Sequence, residues 1–97
     1  MNIRFLAVAE RELDEAIAYY HHEKDGLGHL FWLDVKHTLG RIAAFPNAWH
    51  PLSAHTRRCR LRRFPFGLIY QVRNDELLIV AVAHLHRRPD YWKNRMV

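Results

Sequence analysis

One uninterrupted apolar run, residues 77–83, constrains the fold of this chain more than any other segment. The run is far shorter than the roughly 20 residues that a membrane-spanning helix requires. It shows no alternation of apolar and polar side chains, which is typical of a strand that is buried on both faces. The run therefore predicts the central strand of a sheet whose two faces are covered by other segments of the chain.

Apolar residues at spacings of three and four predict two helices before this strand. A short strand at residues 2–6 precedes a helix from residue 7 to about residue 23, and a second helix covers about residues 29–44. Gly26 and Gly28 lie between the helices and permit a sharp reversal of the chain. We therefore expect an antiparallel helix hairpin.

A period of two replaces the helical period from residue 57 onward. Strands are predicted at about residues 57–62, 67–72 and 77–83, joined by short connections that require antiparallel pairing. Residues 48–56 are predicted to be irregular. The fold class is α+β in the order β-α-α-β-β-β, with the helix hairpin packed on one face of a small, mainly antiparallel sheet that includes the first strand, and with a short C-terminal tail or helix. A single domain is expected over residues 1–97.

Positive charge is concentrated in the C-terminal half. The chain has 15 Lys and Arg against 10 Asp and Glu, a net charge of +5. Residues 1–54 contribute five basic and seven acidic side chains, a net −2, whereas residues 55–97 contribute ten and three, a net +7. This asymmetry predicts an anionic partner, either nucleic acid or an acidic protein segment rather than a membrane.

The single cysteine, Cys59, excludes an intramolecular disulfide and is interpreted as a small core residue. Because the N-terminal segment also lacks a signal-peptide pattern, we expect a protein of the reducing cytoplasm. His84 and His86 lie two residues apart, but no further side chains are spaced to complete a metal site. We therefore expect neither a metal nor an organic cofactor.

Three arginines form the first candidate site. Arg58, Arg60 and Arg62 project from one face of the predicted strand at intervals of about 6.7 Å, close to a phosphate repeat. Each guanidinium can hold an anion through two hydrogen bonds. The alternative is a solvated strand face whose charges prevent association of sheet edges.

The second candidate site is a cluster of polar residues at positions His84, His86, Arg87, Arg88 and Tyr91. A histidine can act as a general acid or base, arginines can stabilise a phosphoryl-transfer transition state, and a tyrosine can stack on a base. The alternative is structural, with His84 half-buried in the sheet and with Tyr91 and Trp92 covering it. For Trp92 the structural role is favoured, whereas Trp32 and Trp49 are either interface residues or covers of the core.

Two motifs in the C-terminal half carry a family resemblance. Phe64-Pro65-Phe66 precedes the strand at residues 67–72, and His84-x-x-Arg87-x-Pro89-x-Tyr91-Trp92 follows the central strand. Together with the strand-helix-helix order of the N-terminal half, these residues resemble the RelE/ParE superfamily, the toxins of bacterial type II toxin–antitoxin modules. The resemblance extends over nearly the whole chain and is greatest to the ParE-like, plasmid-stabilisation branch.

The resemblance implies two different activities. ParE-like toxins inhibit DNA gyrase without a hydrolytic site, which would make this chain a binding protein and not an enzyme. RelE-like toxins cleave mRNA on the translating ribosome by metal-free attack of a ribose 2′-OH on the phosphate. The residues that would serve such a ribonuclease are Arg60, Arg63, His84, Arg87 and Tyr91. The residues that would bind the target or a nucleic acid are Arg57, Arg58, Arg60, Arg62, Arg88, Lys93 and Arg95.

The resemblance also implies a cognate antitoxin, held in a toxin–antitoxin hetero-oligomer. The antitoxin would lay an acidic and apolar segment across the helix hairpin and the sheet, and its charge would match the basic half of this chain. The leading hypothesis is the gyrase poison and the alternative is the ribosome-dependent endoribonuclease. A third hypothesis is an inactive or merely nucleic-acid-binding small basic domain.

Overall fold

A computed structural model describes residues 1–95 and confirms the α+β class. The elements are β1 (Asn2–Phe5), α1 (Ala7–Glu23), α2 (Leu27–Ala44), β2 (His50–Pro51), β3 (Arg57–Arg60), β4 (Phe66–Arg73), β5 (Glu76–His84) and a single 3₁₀ turn at Lys93–Arg95. The short strand β2 lies in the segment that was predicted to be irregular. Met96 and Val97 lie outside the described residues, and a single domain over residues 1–97 stays a prediction.

The sheet has five strands in the order β1-β5-β4-β3-β2. β1 pairs with β5 in parallel, and the other three pairs are antiparallel. β5 lies between β1 and β4, and its residues from Leu77 to Ala83 are all buried, as the apolar run predicted. Neither helix within residues 1–95 combines the length and the hydropathy that a membrane span requires.

A β-bulge in β5 decides which side chains face the helices. Ile69 pairs with Ala81 and Tyr70 pairs with Ile79, so Val80 is an extra residue without a partner in β4. A bulge of this kind interrupts the strict alternation of faces along a strand. The apolar side chains of β5 are therefore divided between two clusters: Leu77, Ile79 and Val82 pack in the core under the helices, whereas Leu78, Val80, Ala81 and Ala83 pack with Trp92.

The core under the helices is rich in aromatic rings. Phe31 of α2 stacks on Tyr20 of α1 with a centroid distance of 5.3 Å, and it contacts Phe64 and Phe66 edge-on at 5.1 and 5.0 Å. The Phe64-Pro65-Phe66 motif thus supplies the rings that join the β3–β4 loop to the helix hairpin. Aromatic side chains bury large areas, which a small core needs.

Asp34 of α2 fixes the loop that follows β3. Its side chain is 5% exposed and accepts hydrogen bonds from the backbone N–H groups of Arg62, at 3.2 Å, and Arg63, at 2.8 Å. These bonds turn the chain out of the sheet after Arg60. The predicted row of three arginines on one strand face is therefore wrong for Arg62, because that residue lies in the loop and not in β3.

Close packing of the two helices depends on Gly28, in the first turn of α2. A Cβ atom at this position would lie 2.6 Å from the carbonyl oxygen of Ile17 and 2.9 Å from Cβ of His21. Gly26, just before α2, has φ +82°, a left-handed conformation that L side chains rarely adopt. The two glycines therefore have different structural roles. Gly26 allows the chain to reverse direction, and Gly28 allows α1 and α2 to pack closely.

We expect Gly28→Ala to lower the free energy of unfolding by about 1–3 kcal/mol, as overpacking of a filled interior does. Gly40→Ala is the matched control in the same helix, because a Cβ there meets nothing within 4 Å. This control should stabilise the protein by about 0.5–1 kcal/mol through its helix propensity. Urea denaturation of both variants measures the difference, and equal effects would contradict the close contact of α1 with α2.

Candidate functional site

β1 covers only the first part of the edge of β5. Its pairing ends at Phe5, opposite Ile79, where the chain turns into α1. Beyond this point, two backbone groups on the same edge of β5 are paired by side chains. The N–H of Val82 donates to Oε1 of Glu12 at 3.1 Å, and Nη1 of Arg95 donates to the carbonyl oxygen of Val80 at 3.1 Å. Glu12 and Arg95 thus close an edge that would otherwise carry unpaired backbone groups.

Glu12 also joins α1 to the C-terminal segment. Its carboxylate accepts two hydrogen bonds from the guanidinium of Arg95, at 2.7 and 2.9 Å, and the two side chains are only 11% and 14% exposed. Arg87 contacts the same carboxylate at 3.3 Å. The hydrogen bond to Glu12 is the main reason why the pKa of Arg95 is raised. A largely buried acid therefore holds two arginines that lie far away in the sequence.

Tyr91 completes this cluster. Its hydroxyl donates to Oε2 of Glu12 at 3.2 Å, and the guanidinium of Arg87 lies 3.7 Å from the centre of its ring. Burial, and then the negative charge of Glu12, raises the pKa of Tyr91 to about 12. At neutral pH the phenol is therefore protonated, and its proton is directed at Glu12.

A cavity of about 290 Å³ lies beside this cluster, on the face of the sheet where Trp92 packs. His84, Arg87 and Tyr91 line it, together with Arg58 and Arg88. Nδ1 of His84 accepts the backbone N–H of His86 at 3.1 Å, so a neutral His84 ring carries its proton on Nε2. Three of the five predicted ribonuclease residues therefore meet at one cavity.

The other two predicted ribonuclease residues do not line this cavity. Arg60 lies at a second cavity, of about 440 Å³, and the side chain of Arg63 is exposed in the β3–β4 loop. No group of three or more metal-ligating side chains comes together within residues 1–95. The predicted catalytic set therefore does not converge on one point.

The predicted target-binding residues fall into three environments. Arg62, Arg88 and Lys93 are exposed. Arg58 and Arg60 lie on β3 beside the second cavity. Two others make structural contacts, because Arg57 donates to the carbonyl oxygen of Trp49 at 2.8 Å and Arg95 is held by Glu12. For all seven residues a role in target binding stays a prediction.

Comparison with known proteins decides the family. The model of the ParE toxin of the type II toxin–antitoxin system parDE matches residues 3–91. Two strains of Mycobacterium tuberculosis have a protein named Toxin ParE2 that is 34% identical over 82 residues, which span 84% of this chain and 78% of the relative. The chain belongs to the ParE toxin family of type II toxin–antitoxin systems. The resemblance seen in the sequence is thereby confirmed for the ParE branch.

The fold of this ParE toxin is also seen in a solved structure. A chain of the chromosomal ParDE toxin–antitoxin system from Pseudomonas aeruginosa superposes with a TM-score of 0.65 at 17% sequence identity. The match covers 89% of this chain and 97% of that chain. Identity at this level establishes the shared fold alone.

Glu12 is the residue of this ParE toxin that sequence reasoning missed. The acidic side chains in the N-terminal half of α1 have a local explanation in the sequence, because negative charges are favourable at the positive end of the helix dipole. Glu12, however, lies three residues after Ala9 and four before Ala16, and both are buried. Its position therefore falls within the apolar stripe of the helix, and a charged residue in such a stripe indicates a buried polar partner.

We expect Glu12→Gln to lower the free energy of unfolding by about 3–5 kcal/mol, the usual loss when one partner of a buried ion pair is removed. The amide leaves Arg95 buried without a counter-charge. Glu15→Gln is the matched control, because Glu15 lies on the same helix and is exposed. Its effect should lie within about 0.5 kcal/mol, as for most surface substitutions. Urea denaturation of both variants tests this, and a Glu12→Gln variant as stable as the control would show that the ion pair is not structural.

Proposed function

We propose that this ParE toxin inhibits growth by binding and poisoning DNA gyrase, and that a cognate antitoxin neutralises it in the cytoplasm. The observation that carries the proposal is the contact between Tyr91 and Glu12. Because this contact engages the hydroxyl that a ribonuclease would use, it favours a binding protein over a ribonuclease. The family match supports the toxin assignment on which the proposal rests.

A ribonuclease would need Tyr91 or His84 to move a proton to or from the RNA. A pKa of about 12 keeps the Tyr91 phenol from acting as a base at neutral pH. Its hydroxyl proton is already donated to Glu12, and Arg87, which is about half exposed, lies over the Tyr91 ring and contacts the same carboxylate. Tyr91 and Arg87 therefore brace the C-terminal segment, which disfavours a RelE-like ribonuclease that uses these two residues. A role for His84 is tested by the mRNA cleavage assay below.

The basic half of the chain would bind gyrase. Arg62, Arg88 and Lys93 are exposed and can contact an acidic protein surface or bound DNA. Lys93 is only weakly restrained, by Asp90 at 3.5 Å with both side chains more than half exposed. Surface pairs of this kind contribute little to stability, so the lysine is available to a partner.

The antitoxin would occupy an apolar groove of about 730 Å³ between β1, α1 and α2. Its floor contains Leu13, Ile17 and Trp32, and Glu10 and Asp14 lie along it. An apolar antitoxin segment fits this floor, with a basic side chain beside the two acids. The structurally similar chain from Pseudomonas aeruginosa belongs to a ParDE toxin–antitoxin system, which supports an antitoxin for this chain as well.

Tyr91→Phe separates the two target hypotheses. We expect the variant and the natural chain to inhibit gyrase supercoiling at concentrations within about threefold of each other, and neither to cleave mRNA on translating ribosomes. The measurements are a supercoiling assay and primer extension on the reporter mRNA of a translation reaction, each with purified full-length protein. Cleavage of mRNA that disappears in Tyr91→Phe would instead establish the endoribonuclease, and a chain without either activity would favour the inactive domain.

Asp14→Lys tests the antitoxin groove. The charge reversal should weaken binding of the cognate antitoxin by about tenfold, which corresponds to roughly 1.4 kcal/mol. Glu15→Lys is the matched control, because Glu15 is a neighbour on α1 that does not line the groove. Isothermal titration should show less than a twofold change for this control. Equal losses in both variants would place the antitoxin elsewhere or make its binding nonspecific.

A further inference from the structure

Two buried guanidinium nitrogens have no hydrogen-bond partner within the described part of the chain. Nε of Arg41, on α2, and Nε of Arg58, on β3, are the only buried side-chain nitrogen or oxygen atoms within residues 1–95 that make no hydrogen bond. Burial of a charged donor without an acceptor is unfavourable, and buried polar groups in folded proteins are nearly always paired. The two unpaired atoms therefore belong to side chains whose hydrogen-bonding capacity is only partly used within the described residues.

Both arginines line the cavity of about 440 Å³ at the edge of the sheet formed by β2 and β3. Arg60, Trp49 and His50 complete the lining, which contains no carboxylate from residues 1–95. Nη2 of Arg41 donates to the carbonyl oxygen of Arg60 at 3.0 Å and to Oγ1 of Thr38 at 3.0 Å. These bonds hold the Arg41 guanidinium against β3 and leave its Nε unpaired among the described residues.

Arg58 lies close against the neighbouring strand. A Cβ atom at Gly67 of β4 would lie only 3.0 Å from Cγ of Arg58, so the absence of a side chain at position 67 makes room for the arginine stem. Burial lowers the pKa of Arg58, and the positive charge of Arg60 lowers it further. The structure thus holds two like charges together on one strand, with no neutralising acid among the described residues that line the cavity.

Trp49 is held beside these charges. Its backbone carbonyl accepts Nη1 of Arg57 at 2.8 Å, and its indole N–H donates to the carbonyl oxygen of Arg41 at 3.4 Å. The guanidinium of Arg41 lies 5.5 Å from the centre of the indole ring. Proteins that bind single-stranded nucleic acids combine aromatic side chains with arginines or lysines. The bases stack on the aromatic rings, and the phosphates contact the positive charges.

We propose that this cavity is a binding site for single-stranded nucleic acid, in which Arg41, Arg58 and Arg60 hold a phosphodiester and Trp49 contacts the adjacent base. An acidic peptide would satisfy the guanidinium groups, but it would make no use of the part of the Trp49 side chain that lines the cavity, which favours the nucleotide. The inference goes beyond gyrase poisoning, because it names a ligand that this chain binds by itself. Of the lining residues, Arg41, Trp49 and His50 are new to the site.

The test measures fluorescence anisotropy of a fluorescein-labelled thymidine octanucleotide with the full-length protein over a range of NaCl concentrations. Arg60→Gln should weaken binding at least fivefold. It should also reduce the magnitude of the slope of log K against log[NaCl] by about 0.7, the change expected when one phosphate contact with a single strand is lost. Arg60 is exposed, so this change leaves the fold intact. Arg58→Gln and Trp49→Leu should weaken binding as well, and circular dichroism confirms that each variant is folded.

Arg11→Gln is the matched control, because it removes the same charge from an exposed position on α1 outside the cavity. It should change the affinity less than twofold. Equal losses in Arg11→Gln and Arg60→Gln would reduce the binding to nonspecific attraction and overturn the site. A methylphosphonate octanucleotide that binds as well as the natural one would do the same, and equal competition by a glutamate octapeptide would assign the cavity to a carboxylate. None of these outcomes bears on gyrase inhibition, because the assay contains no gyrase.

Discussion

The carboxylate of Glu12 is the contact on which the rest of this structure depends. β5 is nine residues long, and β1 covers only its first part, so the remaining edge needs other acceptors and donors. Glu12 reaches this edge from α1 and receives the N–H of Val82 as well as the guanidinium of Arg95. Glu12 thereby pairs a backbone N–H of the central strand. It also holds Arg95, which pairs a carbonyl oxygen of the same strand and ties down the segment that covers its second face.

This arrangement explains why β5 can be apolar on both faces. The helices cover one face, and Trp92, which is 5% exposed, packs on the other with Val80 and Ala83. Trp92 lies in a segment with no regular structure except its last turn. One backbone hydrogen bond, from the N–H of Leu85 to the carbonyl oxygen of Pro65 at 2.9 Å, joins the start of this segment to the β3–β4 loop, and side-chain contacts hold the rest. Tyr91 and Arg95, on either side of Trp92, are bound to Glu12. Burial of the central strand and the electrostatics of α1 are therefore coupled.

The parts of the fold that depend on hydrophobic burial could be predicted from the sequence. The apolar run predicted the central strand, and the helical period predicted the hairpin, because both signals are local. The bulge at Val80 could not be predicted, since valine and alanine suit either face of a strand that is buried on both. The end of β3 at Arg60 was also hidden, because it depends on Asp34, which lies 28 residues away from Arg62 in the sequence.

In the candidate site, too, local features could be predicted from the sequence and contacts between distant residues could not. The spacing of His84, Arg87 and Tyr91 correctly indicated that they lie together, because they follow one strand end. Glu12 was missed because its partner Tyr91 is 79 residues away, and because a helix dipole already gave its charge a local explanation. Trp49 was left undecided for a similar reason, since Arg41 and Arg58 meet it only in the folded chain.

The distribution of buried acids separates two kinds of arginine in this ParE toxin. Glu12 neutralises Arg95, and Asp34 is occupied by backbone N–H groups, so neither carboxylate serves the cavity that contains Arg58. The first kind of arginine stabilises the fold, whereas the second has no carboxylate beside it among the described residues that line its cavity. The apolar groove and this cavity have no described lining residue in common. An antitoxin that fills the groove would therefore leave the arginines free unless an acidic part of it extends to them, and the +7 charge of residues 55–97 favours such an extension.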